Sequence, residues 1–279
     1  MITITSALRF AQREVDAVDA RALLQHVLKT TRAHLAAHPE HVLTDSEQQQ
    51  FCAGIARRKN GEPVAYIVGE REFFGLGFLV SPAVLIPRPE TELLVEQALM
   101  RIPEHRPVHV LDLGTGSGAI AITLAKHRPR AQITAIDASK DALKIAAANA
   151  QRLLGNQAST VELLQSDWYD SVPDACYDLI LANPPYIADD DPHLAQGDLR
   201  FEPRQALAAG SHGLSALAHI VQNAAPHLAP GGWLILEHGY DQREACAEFL
   251  QIAGFVNVAT HRDLAGIARV SVGQDAREN

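Results

Sequence analysis

Only three cysteines occur in the sequence, Cys52, Cys176 and Cys246. They stand far apart and form neither a Cys-x-x-Cys pair nor an even framework, so no zinc site and no disulfide scaffold is expected. Long apolar runs are missing as well. The longest stretches, such as Leu79–Ile86 and Ala119–Ala125, are far too short to cross a bilayer. The N-terminus reads Met-Ile-Thr-Ile-Thr-Ser and soon meets Arg9, Arg13, Glu14 and Asp16, which is the pattern of neither a signal peptide nor a transit peptide. A cytoplasmic protein without a membrane partner is expected. Positive charge is also in deficit, with 24 Lys and Arg against 33 Asp and Glu and a net charge of −9. Composition therefore supplies no bulk attraction to DNA or RNA, and no stable nucleic-acid partner is expected. A protein partner with a basic surface fits the charge better. What is present is an ordinary globular composition, 47% apolar over 279 residues, enough for a large core and a small second domain.

The first seventy residues read as helical. Ala20, Leu23, Leu24, Val27 and Leu28 recur at helical spacing and form one apolar face. Asp45-Ser46 marks a helix start and Asn60-Gly61 its stop. Residues 71–82 change character: aromatic and β-branched residues separated by glycines predict a hairpin. Ile86-Pro87-Arg88-Pro89-Glu90 is then extended, because residues before proline avoid helical angles, and a helix should run from near Pro89 to before Pro103. From Val108 onward strands and helices alternate, ending in closing strands over Phe255–Ala259 and Arg269–Val272. The expectation is an α/β fold: a mixed, mostly parallel sheet with helices on both faces, preceded by a small all-helical domain. The division predicted is 1–70 helical, 71–85 a β-hairpin linker, and 86–279 the α/β domain.

Asp112-Leu113-Gly114-Thr115-Gly116-Ser117-Gly118 follows a strand and opens a helix. Glycines allow the tight turn and let a ligand approach the backbone, and the helix N-terminus offers free N–H groups. Asp137 ends the next strand, roughly twenty residues on, a spacing that suits a carboxylate accepting from ribose hydroxyls. Two cofactors fit this pattern. NAD prefers Gly-x-Gly-x-x-Gly with its pyrophosphate on the helix N-terminus. The spacing here is Gly-x-Gly-x-Gly preceded by an acid, a form similar to the first motif of class I methyltransferases. No Gly-Lys-Ser/Thr occurs, so a nucleoside-triphosphate loop is not expected. A turn serving only helix–strand packing would explain the glycines but not the acid at ribose distance. Ser166-Asp167-Trp168 follows the third strand. Asp167 suits an exocyclic amine and Trp168 the face of an adenine, although a tryptophan there could equally be core.

The sharpest signal is Asn183-Pro184-Pro185-Tyr186, directly after the fourth strand, Tyr177–Ala182. The two prolines fix the backbone and remove two N–H donors, leaving carbonyl acceptors. The Asn183 side-chain oxygen is a further acceptor, and Tyr186 supplies a flat ring. This set matches a planar NH2 group: the Asn183 oxygen and the Pro184 carbonyl take its two N–H bonds, and the ring stacks on it. The nitrogen is a weak nucleophile, so alignment matters more than a strong base. A rigid proline turn closing a strand is the plainer alternative. His34, His38 and His41 lack cysteine partners and are expected in solvent rather than on a metal. Glu237 and His238 end the fifth strand and either border the site or cap the strand.

Taken together, these residues resemble the release-factor glutamine methyltransferase family, also called HemK or PrmC. The likeness covers Glu62-Pro63-x-x-Tyr66-Ile67-x-Gly69, the hairpin, Ile86-Pro87-Arg88-Pro89-Glu90-Thr91-Glu92, the glycine loop, Asn183–Tyr186, Asp198-x-Arg200-Phe201-Glu202-Pro203 and Leu236-Glu237-His238-Gly239. The Asn-Pro-Pro-Tyr loop alone is shared by many amino-methylating enzymes, and its combination with Pro-Arg-Pro-Glu-Thr-Glu is far more specific. The resemblance implies a Rossmann-like S-adenosylmethionine-dependent methyltransferase acting on the glutamine amide of the Gly-Gly-Gln motif in class-1 peptide chain release factors. A monomer without a metal is expected. The implied cofactor residues are Asp112, Gly114, Thr115, Gly116, Ser117, Gly118, Asp137, Asp167, Trp168 and Asn183. Asn183, Pro184, Pro185 and Tyr186 would hold the substrate, with Asn183, Pro184 and Tyr186 carrying catalysis and residues 1–70 recognising the protein substrate. Two alternatives stand beside this reading. A relative methylating a ribosomal-protein glutamine tends to carry Pro-Arg-Ser-Pro where this chain has Pro-Arg-Pro-Glu. An adenine-amino methyltransferase would want a basic stripe.

Overall fold

The computed structural model describes residues 1–172 and 176–277. The chain divides into two compact units, Met1–Glu70 and Arg71–Asn279. The first holds five helices among the described residues: α1 (Ile4–Ala11), α2 (Ala17–Leu28), α3 (Arg32–Ala37), α4 (Asp45–Lys59) and α5 (Val64–Val68). Side-chain oxygens of Thr3, Asp16, Thr31 and Thr44 accept from the first-turn amides of α1 to α4 and satisfy donors that a helix start leaves orphaned. Thr44, one residue before the expected Asp45-Ser46 start, forms a capping box with Glu47, whose carboxylate returns to the Thr44 amide at 2.8 Å. Ile4, Leu23, Leu24, Leu35, Phe51 and Ile55 make this unit's core. Arg58 ties α4 to Asp19 of α2 at 2.6 Å. His34 and His38 are exposed and stack on one another, with ring centroids 4.1 Å apart.

A hairpin, β1 (Glu70–Phe73) and β2 (Leu76–Leu79), turns at Phe74 and Gly75. Both turn residues have positive φ, 52° and 74°, as a two-residue hairpin turn matched to strand twist requires. Phe73 and Phe78 are fully buried in the core of the second unit, so this hairpin is a packed element of that unit.

The remaining elements of the second unit are α6 (Glu92–Arg101), β3 (Val108–Leu113), α7 (Ala119–His127), β4 (Ala131–Asp137), α8 (Lys140–Leu154), β5 (Val161–Gln165), β6 (Tyr177–Ala182), α9 (Ser215–Ala224), β7 (Leu228–Glu237), α10 (Arg243–Ile252), β8 (Val256–Arg262) and β9 (Ala268–Gln274). They build a seven-stranded sheet in the order β5-β4-β3-β6-β7-β9-β8. The first five strands are parallel, and β9 runs antiparallel to both β7 and β8. This is the expected mostly parallel α/β sheet. Its central strands are nearly continuous apolar runs because both faces are covered. Along β6, Leu179 and Leu181 join one core while Ile180 and Ala182 join the other. No helix among the described residues is long and apolar enough to cross a membrane.

The strand order positions the site. The chain lays down β3, β4 and β5 outward in one direction, then returns to place β6 on the other side of β3. Loops leaving the carboxyl ends of β3 and β6 diverge at this reversal, and a crevice opens between them. The β3 loop carries the glycines, and the β6 loop carries Asn183-Pro184-Pro185-Tyr186.

Candidate active site

A cavity of about 280 Å3 opens at the carboxyl ends of β3 to β6. Gly114, Gly116, Asp137, Asp167, Trp168 and Asn183 line it, together with Pro184 and Pro185. A smaller pocket of about 50 Å3 is walled by Asn183, Pro184, Tyr186, Leu85 and Arg88. Asn183 and Pro184 belong to both walls. Of the residues the sequence pointed to, Asp112, Thr115, Ser117 and Gly118 do not line the larger cavity; they shape the loop that does.

Gly114, Gly116 and Gly118 all have positive φ, at 72°, 55° and 81°. At Gly118 a Cβ would meet Ile122 Cδ1 at 2.6 Å and Ala146 Cβ at 3.3 Å, so only glycine lets α7 start this close to its neighbours. The Thr115 amide donates to the Ile136 carbonyl at 2.8 Å and fastens the loop to β4. Its hydroxyl donates to Asp112 Oδ2 at 2.6 Å. Asp112 is 0% exposed, and Oδ1 makes no hydrogen bond among the described residues. Burial pushes its carboxyl up to about 7, while the Thr115 hydroxyl and the Ala121 amide pull downward and Asp137 adds to the rise. A buried acid with one unsatisfied oxygen suits a cationic partner.

Asp137 closes β4 with both oxygens engaged. Oδ2 accepts from Gly116 N at 2.9 Å and Oδ1 from Ser139 N at 2.8 Å. The carboxylate is thereby held at the cavity wall with a lone pair remaining on each oxygen, and burial holds its pKa above the usual range. Trp168 has φ 45°, and its ring lies against Gly114, where a Cβ would stand 3.8 Å from Cζ3. Ser166 sets that turn by donating to the Trp168 carbonyl at 2.8 Å and accepting from Ser171 N at 2.9 Å. Trp168 also packs on the apolar core, so it serves as cavity wall and core residue at once.

The Asn183–Tyr186 loop is clamped from three sides. Asn183 Nδ2 donates to Thr91 Oγ1 at 3.0 Å. The Tyr186 carbonyl accepts from Gln242 Nε2 at 2.9 Å, and the Gln242 side chain also bonds Gly213 and Gly239. Ile187 bridges to Ala208, exchanging backbone bonds with Leu207 and Ala209 at 2.9 Å each. Tyr186 is mostly buried, and its phenol is pushed well above its ordinary value by burial and then by Glu237.

The contacts of several further residues were not evident from the sequence. Arg88 and Glu202 form an ion pair, and Glu202 Oε2 accepts from Ile86 N at 3.0 Å. This bond joins two motifs more than a hundred residues apart, and Pro203, Gln205 and Ala206 line the cavity together with Ala83–Leu85. Both motifs were legible, but opposite charge alone did not reveal their pairing. Asn149, fully buried on α8, accepts from Leu79 N at 2.7 Å and donates to the Leu79 and Ser117 carbonyls at 3.0 and 2.9 Å. It welds the hairpin to the glycine loop, and nothing in its local sequence marks it. Glu237 lies buried beside Asn183 and Thr91. His238 is turned away from the cavity, with its ring nitrogens at the Gly239 carbonyl (2.9 Å) and Ser271 Oγ (3.0 Å).

Comparison with known proteins gives a consistent picture. Residues 2–69 match a family model described as the PrmC N-terminal domain, and residues 89–200 match the Methyltransferase small domain. Over 257 residues the chain is 50% identical to a release factor glutamine methyltransferase of Bordetella pertussis, covering 92% of this chain and 94% of that protein. It is 48% identical over 256 residues to the protein of the same name in Salmonella typhimurium, covering 92% and 91%. Among solved structures, a methyltransferase from Pyrococcus furiosus superposes with a TM-score of 0.55 at 19% identity, covering 80% of this chain and 98% of that one, a likeness of fold.

Proposed function

The chain belongs to the release factor glutamine methyltransferase family, and from that premise we propose that it methylates the side-chain amide nitrogen of the glutamine in the Gly-Gly-Gln motif of class-1 peptide chain release factors. Its methyl donor is S-adenosylmethionine, as methyltransferase membership implies. The observation that carries the reading is the shared wall. Asn183 and Pro184 border both the larger cavity and the small pocket, so an amide seated in the small pocket presents its nitrogen at the junction of the two.

The residues of the larger cavity, with Asp112 behind its glycine loop, fit the cofactor. Asp137 offers two carboxylate oxygens, preset by the Gly116 and Ser139 amides, to a ribose diol. Trp168 and Asp167 supply a flat face and an acceptor for the adenine. Asp112, with its orphaned Oδ1 beside the glycine loop, suits the ammonium of the amino-acid end. When bound, the cofactor supplies a methyl group on a cationic sulfur that becomes a neutral thioether.

The protein's task is then alignment. The glutamine nitrogen is a weak nucleophile because its lone pair is shared with the carbonyl. The Asn183 oxygen and the Pro184 carbonyl accept its two N–H bonds, and Tyr186 flanks the amide plane. This turns the lone-pair direction toward the methyl group and converts an encounter into a positioned step. The buried phenol of Tyr186 stays neutral, so it packs and does not act as a base. Residues 1–70 supply recognition of the release factor, since the cavity and every cofactor residue lie in the second unit.

Mass spectrometry of a purified class-1 release factor incubated with the protein and S-adenosylmethionine tests this. A gain of one methyl on the Gly-Gly-Gln glutamine is expected. Methylation elsewhere, or of nucleic acid in preference, would overturn the assignment.

A further inference from the structure

An asparagine amide has an acceptor oxygen at one end and a donor NH2 at the other, and only the oxygen can receive an N–H bond from a substrate amide. Nothing in the Asn-Pro-Pro-Tyr loop itself determines which end faces the pockets. Two residues from other elements meet the far end. Thr91, buried in the short helical turn Pro89–Thr91, receives the Asn183 Nδ2 proton at 3.0 Å. Glu237, the last residue of β7 and 1% exposed, sets its carboxylate beside the Thr91 and Asn183 side chains, both of which favour its charged form. Its Oε2 has no hydrogen-bond partner among the described residues.

We infer that Thr91 and Glu237 are positioning residues that lock the Asn183 amide with its oxygen toward the methyl-accepting nitrogen. The inference rests on the function proposed above and adds to it the residues that orient the acceptor. Its logic is one of donors and acceptors. An ionised carboxylate only accepts, so whatever bonds it must donate. The Thr91 hydroxyl takes a proton from Asn183, which leaves its own single proton to turn toward the Glu237 carboxylate. The Asn183 NH2 is thereby directed away from the substrate, bonded to Thr91 and facing the Glu237 carboxylate. Flipping the amide would set its oxygen against a carboxylate and present NH2 to the substrate's own NH2, two mismatches in a buried site.

The charged surroundings of Glu237 bear on the lock. Burial pushes the carboxyl up to about 7, and Glu90 adds to that rise. The Thr91 and Asn183 donors and the Arg269 guanidinium favour the ionised form. Tyr186 faces the same carboxylate and is itself raised by it.

The test measures single-turnover methylation of the release factor and cofactor affinity in the full-length protein and four variants. Thr91→Val keeps the shape but cannot accept from Asn183, and a fall of about thirtyfold or more is expected. Thr91→Ser retains the hydroxyl and should restore the rate to within about threefold of wild type. Glu237→Gln can turn an NH2 toward Asn183 and favour the flipped amide, with an expected loss of about a hundredfold, the scale of losing one preorganised contact. Cofactor affinity should stay within about threefold throughout, because neither residue lines the larger cavity. Asn183→Ala separates the two levels of argument. Absence of release-factor methylation by the wild-type protein would overturn the function itself, whereas wild-type turnover in Asn183→Ala would overturn its acceptor role and with it the lock. A slow Asn183→Ala with Thr91→Val at the wild-type rate would overturn only the lock. Equal losses in Thr91→Ser and Thr91→Val, or a parallel loss of cofactor affinity, would also overturn it in favour of a packing role. Should Glu237→Gln not fold, the Thr91 pair decides alone.

Discussion

Cofactor affinity should rise with pH through the neutral range, and Asp112 should be the cause. Burial holds its carboxyl up to about 7 in the free protein. At that value it is about one-tenth ionised at pH 6 and about three-quarters ionised at pH 7.5. An ammonium group brought against the unpartnered Oδ1 favours the ionised form and lowers the pKa in the complex. The sign follows from linkage. The ligand prefers the deprotonated acid, so below the free pKa binding must release a proton, and affinity grows until the free carboxyl is already ionised. The ratio of ionised fractions bounds the gain at about eightfold between pH 6 and 7.5, or about 1.2 kcal/mol. Asp137 is also held up and lies close enough to act on Asp112. The Asp112→Asn protein isolates the effect, since it keeps an acceptor but cannot titrate. Calorimetry with S-adenosylhomocysteine at pH 6, 6.75 and 7.5, in two buffers of different ionisation enthalpy, reads affinity and proton release together. Wild type should tighten and release protons, and the variant should bind more weakly with little change across the range. A flat or falling wild-type affinity, or a rise undiminished in Asp112→Asn, would refute the reasoning.

Other expectations follow from neighbouring contacts. Asp137→Ala should weaken S-adenosylhomocysteine binding more than about tenfold, since a carboxylate serving two hydroxyls contributes ~1.5–3 kcal/mol, and an unchanged dissociation constant would remove it from the ribose role. Asn183→Ala should slow single-turnover methylation by about a hundredfold to a thousandfold while affecting cofactor binding less. Asn183→Asp should bind the cofactor at least as well as wild type yet turn over more slowly, because its added charge favours the cationic ground state; a faster rate would contradict this. Gly118→Ala, at φ 81° with Ile122 Cδ1 only 2.6 Å from the new methyl, should lose about 1–3 kcal/mol in a denaturation experiment, and an unaltered transition would show that α7 shifts freely. A protein starting at Arg71 should still bind the cofactor but methylate the intact release factor poorly; full activity on that substrate would refute recognition by residues 1–70.

The alternation of elements and the two chemical loops were legible in the sequence because their signals are local. Gly-x-Gly-x-Gly needs positive φ at three sites, and the α/β order follows from helices and strands read one at a time. The Asn-Pro-Pro-Tyr segment was equally plain, because two consecutive prolines restrict their own backbone whatever surrounds them. Boundaries were less exact where tertiary contacts set them. β7 reaches back to Leu228 because its first residues find a partner in β6, where Leu228 pairs with Tyr177 across a register shift. The sequence also could not distinguish glycine-loop residues that face the cavity from those that hold the loop in place. That depends on which side of the turn each one occupies, and Thr115, Ser117 and Gly118 fell on the inner side.

Tertiary structure alone decided the pairings among distant residues. Arg88 meets Glu202, Asn149 meets both Leu79 and Ser117, and Thr91 and Glu237 converge on Asn183. Each partner taken singly is an ordinary polar residue, and no spacing rule links positions that lie on different strands and turns. Glu237 reaches Asn183 because β6 pairs with β7, which sets the carboxyl ends of the two strands side by side and buries their polar groups. Once buried, each group must find a partner or remain unsatisfied at a cost, and that requirement sets both the amide orientation at Asn183 and the raised acid at Asp112.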